Sequence, residues 1–321
     1  MPRLSIIIPA VRGVGPLEET LVSVLEHRPA DCEIVVVHNE PYDDPYNLEG
    51  EVRFIAAAAD ASLTACLNQG IDETSGEIIH TLATGAEVAS DWTERALIHF
   101  ADWKVAAVAP VVFDAQRRQR VLSAGATYGT GGSRRLRRSV PAQGTALPIF
   151  VPTLTAAFFR RTSLATVGGI PTDVGDRLAD VDLGWNLRQA GMVAMLDPQA
   201  HVWAPAAIEA RPSGFRAARL AERLFMRHAP QAGWGMSLAA HPFTVGWEML
   251  ASIARPAMFT QLLGRMTAWL EIGSWLRHQK WQATLGSQPD VLPLTTAAGT
   301  MRRDGAHGPA TPAGNSQRAR A

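Results

Sequence analysis

The chain has 321 residues, with 30 Lys and Arg balanced by 30 Asp and Glu, 47% hydrophobic residues and only 19% charged ones. A formal net charge of zero supplies no overall field to draw in nucleic acid or an anionic membrane, and the apolar fraction is too high for a disordered protein. The length suits one large domain, or one domain with an appendage, since domains usually run to about 100–200 residues.

In chain order, Met1-Pro2-Arg3 leads directly into Leu4–Pro9, an apolar run too short for a secretory signal, so a cytoplasmic protein is expected. Ser5–Ile8 reads as a short buried strand stopped by Pro9, followed by a Gly/Pro loop over Arg12–Pro16. Leu17, Leu21, Val24 and Leu25 recur at helical spacing, with Glu18 and Glu19 in the favourable first turn and His27-Arg28 in the last. Glu33–Val37 and Val52–Ile55 read as strands. Ala61–Gln69 reads as a helix ending at Gly70, and Glu77–Leu82 as a further strand. Asp91–Phe100 reads as a helix capped by Ser90 or Asp91, and Val105–Val112 as a strand. Two cysteines, Cys32 and Cys66, are too few for a disulfide framework and are expected as small buried hydrophobes. Strands and helices alternating at this spacing predict an α/β fold, an open, mostly parallel sheet flanked by helices. Ligands of such sheets bind beyond the carboxyl ends of the strands, which directs attention to the residues after Ile8, Val37 and Leu82.

Between about 113 and 150 the pattern gives way to a polar, Gly- and Arg-rich segment that includes Arg134, Arg135, Arg137 and Arg138, read as a flexible loop. The α/β signal resumes at Ala156–Arg161, with a helix near Asp182–Ala190 closed by Gly191 and a strand at Met192–Leu196. Residues 211–283 read as helical and rich in Trp, Met and Leu. Beyond 284 the composition is of low complexity. The expected organisation is a sheet domain over 1–206, a helical extension over 207–283 and a disordered tail over 284–321. No stretch reads as a spanning helix; the most apolar, Ala229–Trp247, is interrupted by Pro and Gly.

Several segments together resemble the family 2 glycosyltransferases: Leu4–Ala10, Leu17–Leu25, Glu33–Val37, Leu67–Ile71, Ser75–Ile79, Phe159–Arg161, Val167–Ile170 and Asp180–Gly191. They stand in the family's order over residues 4–205, and the fold the resemblance implies is the nucleotide-sugar transferase GT-A domain with a C-terminal helical extension. By that resemblance Asp180 is the candidate catalytic base, although its position equally suits an N-cap. Asp182 and Trp185 fall near the acceptor, and Arg188 has a structural role. Pro9, Ala10, His38, Asn39, Asn68 and Thr84 fall at the nucleotide-sugar pocket, with Arg134 and Arg135 placed to fold over the diphosphate as guanidinium forks.

The sequence departs from the family at the metal. The Asp-x-Asp that holds a divalent cation in this family aligns with Ala83-Thr84-Gly85, and the late metal-side histidine with Ala204. Glu87, Asp43 and Asp44 are the nearest acids. No metal ligand is therefore assigned, no cofactor is expected, and the implied chemistry is inverting transfer of a sugar from a nucleotide donor to a glycan or lipid-linked acceptor. The alternative is a catalytically degenerate GT-A-fold binding or partner module, which the missing carboxylates favour. Cell-envelope polysaccharide synthesis is the implied setting. The mixed aromatic and basic helices over 211–283 suit a core or a homo-oligomer partner, or peripheral contact with the inner face of the membrane.

Overall fold

Apolar runs without polar alternation can be buried on both faces, and the two that open the chain form neighbouring interior strands of a sheet. They are Leu4–Ala10 (β1), buried throughout, and Cys32–His38 (β2). The computed structural model describes residues 3–11, 17–141, 144–206, 214–231, 233–251 and 257–286. The Arg12–Pro16 loop and the tail beyond 286 lie outside the described residues.

The further strands are Arg53–Ala56 (β3), Ile78–Leu82 (β4), Glu87–Val88 (β5), Val105–Asp114 (β6), Val121–Ser123 (β7), Ala126–Tyr128 (β8), Arg134–Leu136 (β9), Leu147–Ile149 (β10), Ala156–Arg160 (β11) and Val193–Ala204 (β12). The helices are Leu17–His27 (α1), Leu63–Asp72 (α2), Trp92–Ile98 (α3), Arg161–Thr166 (α4), Ala179–Gln189 (α5), Phe215–His228 (α6), Trp234–Ala251 (α7), Ala257–Ala268 (α8) and Ile272–Gly286 (α9). Among the described residues a 10-stranded sheet runs β10-β12-β6-β11-β4-β1-β2-β3, with β5 beside β12 and β7 beside β6. Strands β4, β1, β2 and β3 are parallel, as are β6 and β12. Strand β11 lies antiparallel between β4 and β6.

The period of two along β1 and β2 divides the core between the two faces of the sheet. Ile7, Val35 and Val37 pack with Leu67 of α2 and with Val181, Leu183 and Leu187 of α5. Ile6, Ile8 and Val36 pack on the opposite face with Leu17, Leu21 and Val24 of α1 and with Trp92 of α3. Full burial of each such aliphatic side chain contributes about 1.5–3 kcal/mol.

Several expectations are corrected. Helix α2 does not end at Gly70 but continues to Asp72. A Cβ at Gly70 would lie 2.5 Å from Ile7 Cγ2, so glycine is there to let the helix approach β1 rather than to stop it. Asp91 precedes α3 in a left-handed conformation and makes no side-chain cap bond. The segment from 113 to 150 is not a structureless loop, because β7, β8, β9 and β10 all lie within it. Three-residue strands carry no readable period, so composition alone made the segment look irregular. Cys66 is buried and Cys32 half-buried, and both are free.

The helices after Gly214 join the sheet in one compact unit, Met1–Gln288. Arg223 and Arg219 of α6 pair with Glu271, and Gly264 of α8 sits against the backbone of Phe215 at the start of α6. Among the described residues no helix is long and apolar enough to cross a membrane.

Candidate active site

The carboxyl ends of β1, β2 and β4 bring together Pro9 and Ala10, His38 and Asn39, and the turn Ala83–Gly85. Pro9 and Ala10 are buried in the sheet, and the Ala10 carbonyl accepts from the Asn39 backbone N–H at 3.4 Å. The His38 ring is half-buried, with Nδ1 2.6 Å from the Glu40 carbonyl, and Asn39 Nδ2 donates to the Ala61 carbonyl at 3.3 Å. Asn68 is spent on the fold: its Nδ2 donates to the Ile170 carbonyl and its Oδ1 accepts from the Ile170 N–H, at 2.8 and 2.9 Å. That clasp ties α2 to the turn after α4.

At the turn following β4, the Ala83 N–H donates to the Thr155 carbonyl at 2.8 Å and Gly85 takes a φ of 77°. Thr84 supplies the one polar side chain of the Ala83–Gly85 turn. Glu87 lies in β5 opposite Trp203, with its carboxylate on Arg118. Asp44 accepts from the Leu48 N–H, and Asp43 is exposed. Hard divalent cations need several clustered oxygens, which this turn does not offer. His201, the histidine nearest in sequence to Ala204, has Nε2 2.9 Å from the Pro198 carbonyl.

Arg134, expected at the diphosphate, and Asp180, expected as the base, are joined in the structure. Strands β8 and β9 form a hairpin with Tyr128 opposite Arg134 and Thr127 opposite Arg135. Alternation along β9 turns Arg134 inward and leaves Arg135 exposed. The hairpin turn is seated in the helical extension: Gly132 takes a φ of 92° against the Phe225 ring of α6, and the Gly131 carbonyl faces His241 Nδ1 of α7 at 2.8 Å. Asp180 lies in the first turn of α5, after Leu178 as the capping residue, so it is not the N-cap. Arg134 Nε donates to both Asp180 carboxylate oxygens at 3.0 Å and Nη2 donates to Oδ2 at 2.6 Å, with the two side chains 6% and 2% exposed.

Asp182, two residues further along α5, does not face an open cleft. Its Oδ1 lies 2.6 Å from His228 Nε2 and its Oδ2 accepts from Arg227 Nη1 at 3.1 Å, both from α6. Burial pushes the Asp182 carboxyl up, but the His228 contact and then the Arg227 charge outweigh it and hold the group below the usual carboxylate range. Trp185 stacks on His228, with centroids 5.3 Å apart and planes at 12°. Arg188 donates to the Ile149 carbonyl and lies over the Phe150 ring, a structural position.

A second buried carboxylate, Glu222 of α6, accepts from Arg265 at 2.7 Å and meets His241 at 3.0 Å, while Arg265 also pairs with Glu248. Burial raises the Glu222 carboxyl, and the His241 and Arg265 contacts reverse that and lower it. Sequence reasoning singled out none of Glu222, Arg227, His228 and His241, because helices distant in the chain supply them.

The sequence model of glycosyl transferase family 2 matches residues 5–168, half of the chain. The chain belongs to this family. The match runs from β1 through β11 and includes the Ala83–Gly85 turn, so the absent carboxylates are a departure within the matched region. No curated protein matches this family 2 chain in sequence. Solved structures that share its fold include the following two. GalNAc-T7 with UDP, GalNAc and Mn2+ superposes with a TM-score of 0.56 at 13% identity, covering 70% of this chain and 47% of that one, so the chain spans about half the neighbour's length. The mannosyltransferase PcManGT from Pyrobaculum calidifontis, in complex with GDP-Man and Mn2+, superposes with a TM-score of 0.52 at 21% identity, covering 88% of this chain and 85% of that one. Both neighbours hold Mn2+, whereas the residues of the Ala83–Gly85 turn do not fit such a cation.

Proposed function

We propose that this family 2 chain transfers a sugar, with inversion, from a nucleotide-diphosphate donor, and that guanidinium groups rather than an Asp-x-Asp-held cation neutralise the diphosphate. The observation that carries the proposal is the Arg134–Asp180 pair, a guanidinium and the carboxylate in the family's base position locked together in a buried site. A carboxylate held by both oxygens is a poor proton acceptor. A diphosphate is a stronger competitor for a guanidinium fork than one carboxylate, because it offers more charge and more acceptor oxygens. Arrival of the donor at the ends of β1, β2 and β4 would draw Arg134 toward the diphosphate and release Asp180. The freed carboxylate would then accept the proton of the attacking acceptor hydroxyl.

In this reading His38 and Asn39 contact the nucleotide, Thr84 and Arg134 contact the diphosphate, and Arg135, exposed on the same hairpin, supplies a second guanidinium. Trp185 offers an aromatic face to the acceptor. Asp182, closed in by α6, positions the start of α5 instead of touching the acceptor.

The acceptor we favour is a lipid-linked glycan at a membrane surface. Phe243 and Trp247 of α7 are 80% and 72% exposed, and Leu250 of α7, Phe259, Leu263 and Met266 of α8 and Leu270 after it are exposed as well. The charged residues of α7 and α8, Glu248 and Arg265, pair with each other and leave that face uncharged. Exposed aromatic and aliphatic side chains on helices suit the interfacial layer of a bilayer.

The same ion pair also supports a second reading. If Arg134 stays on Asp180 when a donor is bound, the chain is a nucleotide-sugar-binding partner module without turnover. Calorimetric titration with a panel of nucleotide diphospho-sugars, with and without added Mg2+ or Mn2+, tests the proposal. Binding that is unchanged by the added cations supports it, and binding that requires them, or no binding at all, rejects it. Binding without hydrolysis or transfer selects the partner-module reading.

A further inference from the structure

Helices α5, α6 and α9 meet at three side chains that the transfer reaction does not use: Asp182, His228 and His278. One ligand atom from each lies within 4.8 Å of the other two. Asp182 and His228 are fully buried and the His278 side chain is 13% exposed. We propose that the three bind one divalent cation of the zinc class, which ties α6 and α9 to the start of α5.

Three observations point to a cation. The first is the tautomer of His228. Its Nδ1 lies 2.8 Å from Gln231 Oε1, Gln231 Nε2 donates to Gln282 Oε1, and Gln282 Nε2 donates to Asn186 Oδ1. With the amides in this orientation, His228 Nδ1 is the donor to Gln231 Oε1. In a neutral ring Nε2 is then a lone pair, aimed at the anionic Oδ1 of Asp182, and the contact repels unless a proton or a cation bridges it. The second is His278, whose Nε2 is buried without a hydrogen-bond partner, 3.9 Å from the same oxygen. A buried imidazole nitrogen with no partner is costly, and a metal bond would satisfy it.

The third is the fit of the donor set. A tetrahedral zinc with bonds of about 2.0–2.1 Å holds its donors about 3.3 Å apart, and the observed 2.6 and 3.9 Å straddle that spacing. Small ring rotations would suffice to close the site. Two imidazoles and one carboxylate suit Zn2+, Co2+ or Ni2+ and not Mg2+, which prefers oxygen. The surroundings also match what metal ligands need. Gln231 orients the His228 ring from its far nitrogen, and Arg227 occupies the other Asp182 oxygen, leaving Oδ1 for the cation. Arg227 is in turn balanced by Asp173. The site differs from the Ala83–Gly85 turn in sequence, in donor chemistry and in position on the fold.

The test is titration of the dialysed full-length protein with Co2+, followed by Zn2+. The expected result is one Co2+ per chain with the visible absorption of a tetrahedral site, displaced by Zn2+ and not by Mg2+. His278→Gln should weaken Co2+ affinity at least about tenfold, the scale of losses seen when ligand surroundings are disturbed, while nucleotide-sugar binding is retained. Labelling of His278 in the wild-type protein by diethyl pyrocarbonate, mapped by mass spectrometry, should fall when Zn2+ is present. No stoichiometric uptake by the wild type, uptake that His278→Gln leaves unchanged, or labelling indifferent to Zn2+ would each overturn the proposal. Because donor binding is measured separately, failure here leaves the transferase reading standing.

Discussion

Arg134 on β9 and Asp180 in the first turn of α5 form a buried, two-pronged ion pair that links the β8–β9 hairpin to the helix bearing the proposed base. Removing one member breaks a buried ion pair. Arg134→Ala should therefore lower unfolding free energy by about 3–5 kcal/mol, the usual cost of breaking such a pair. The double variant Arg134→Leu/Asp180→Leu should recover most of that loss. Urea denaturation of the single and double variants checks this, and additive losses would mean the pair is not coupled.

How far the sequence discloses this site depends on how local each feature is. Strands β1, β2 and β4 are legible because β-branched runs bury both faces, and Asp180 is legible because it stands in a recognisable stretch at the start of α5. The partnership is not legible, since Arg134 lies 46 residues before Asp180 in a three-residue strand that follows Gly131-Gly132-Ser133. Such a run of arginines has the composition of a solvated loop, and only the register with Tyr128 turns one of them inward. The Asp182–His228–His278 cluster is less legible still. Each histidine sits singly on its own helix, at no spacing that would suggest a shared ligand.

Gly70 shows the limit of punctuation rules in the other direction. Gly70→Ala would force a methyl group to within 2.5 Å of Ile7 Cγ2 in the core between α2 and β1. A loss of about 1–3 kcal/mol is expected from overpacking, despite alanine's better helix propensity. Stability equal to or above that of the wild type would show that the helix can shift away from β1.

His80, at the centre of β4, packs between Trp92 and Phe158 with ring centroids 4.6 and 4.0 Å away. Burial drives its imidazole down from 6.5 to about 3, so the folded protein keeps it neutral. The unfolded chain binds the proton first on acidification. The stability it contributes is therefore present above pH 6.5 and is lost as pH falls toward 3, at about 1.4 kcal/mol per pH unit. His80→Leu should show a shallower decline of unfolding free energy between pH 6.5 and 4.5. Equal slopes in the two proteins would remove His80 as a source of acid sensitivity.

The apolar face of α7 and α8 should bring the protein to lipid. Phe243→Asp/Trp247→Asp is expected to reduce co-sedimentation with vesicles, neutral and anionic alike, because apolar area and not charge supplies the attraction. Concentration-dependent dimerisation abolished by the same variant, with no vesicle binding by the wild type, would assign the face to a second copy of the chain.

The most direct test of the central claim is the turnover of a bound nucleotide sugar by wild-type protein and by Asp180→Asn, without added Mg2+ or Mn2+. Loss of a general base should cut transfer or donor hydrolysis by about 10²–10⁴-fold while the donor Kd stays the same. Wild-type turnover in Asp180→Asn, or turnover in the wild type that appears only with an added cation, would contradict the account.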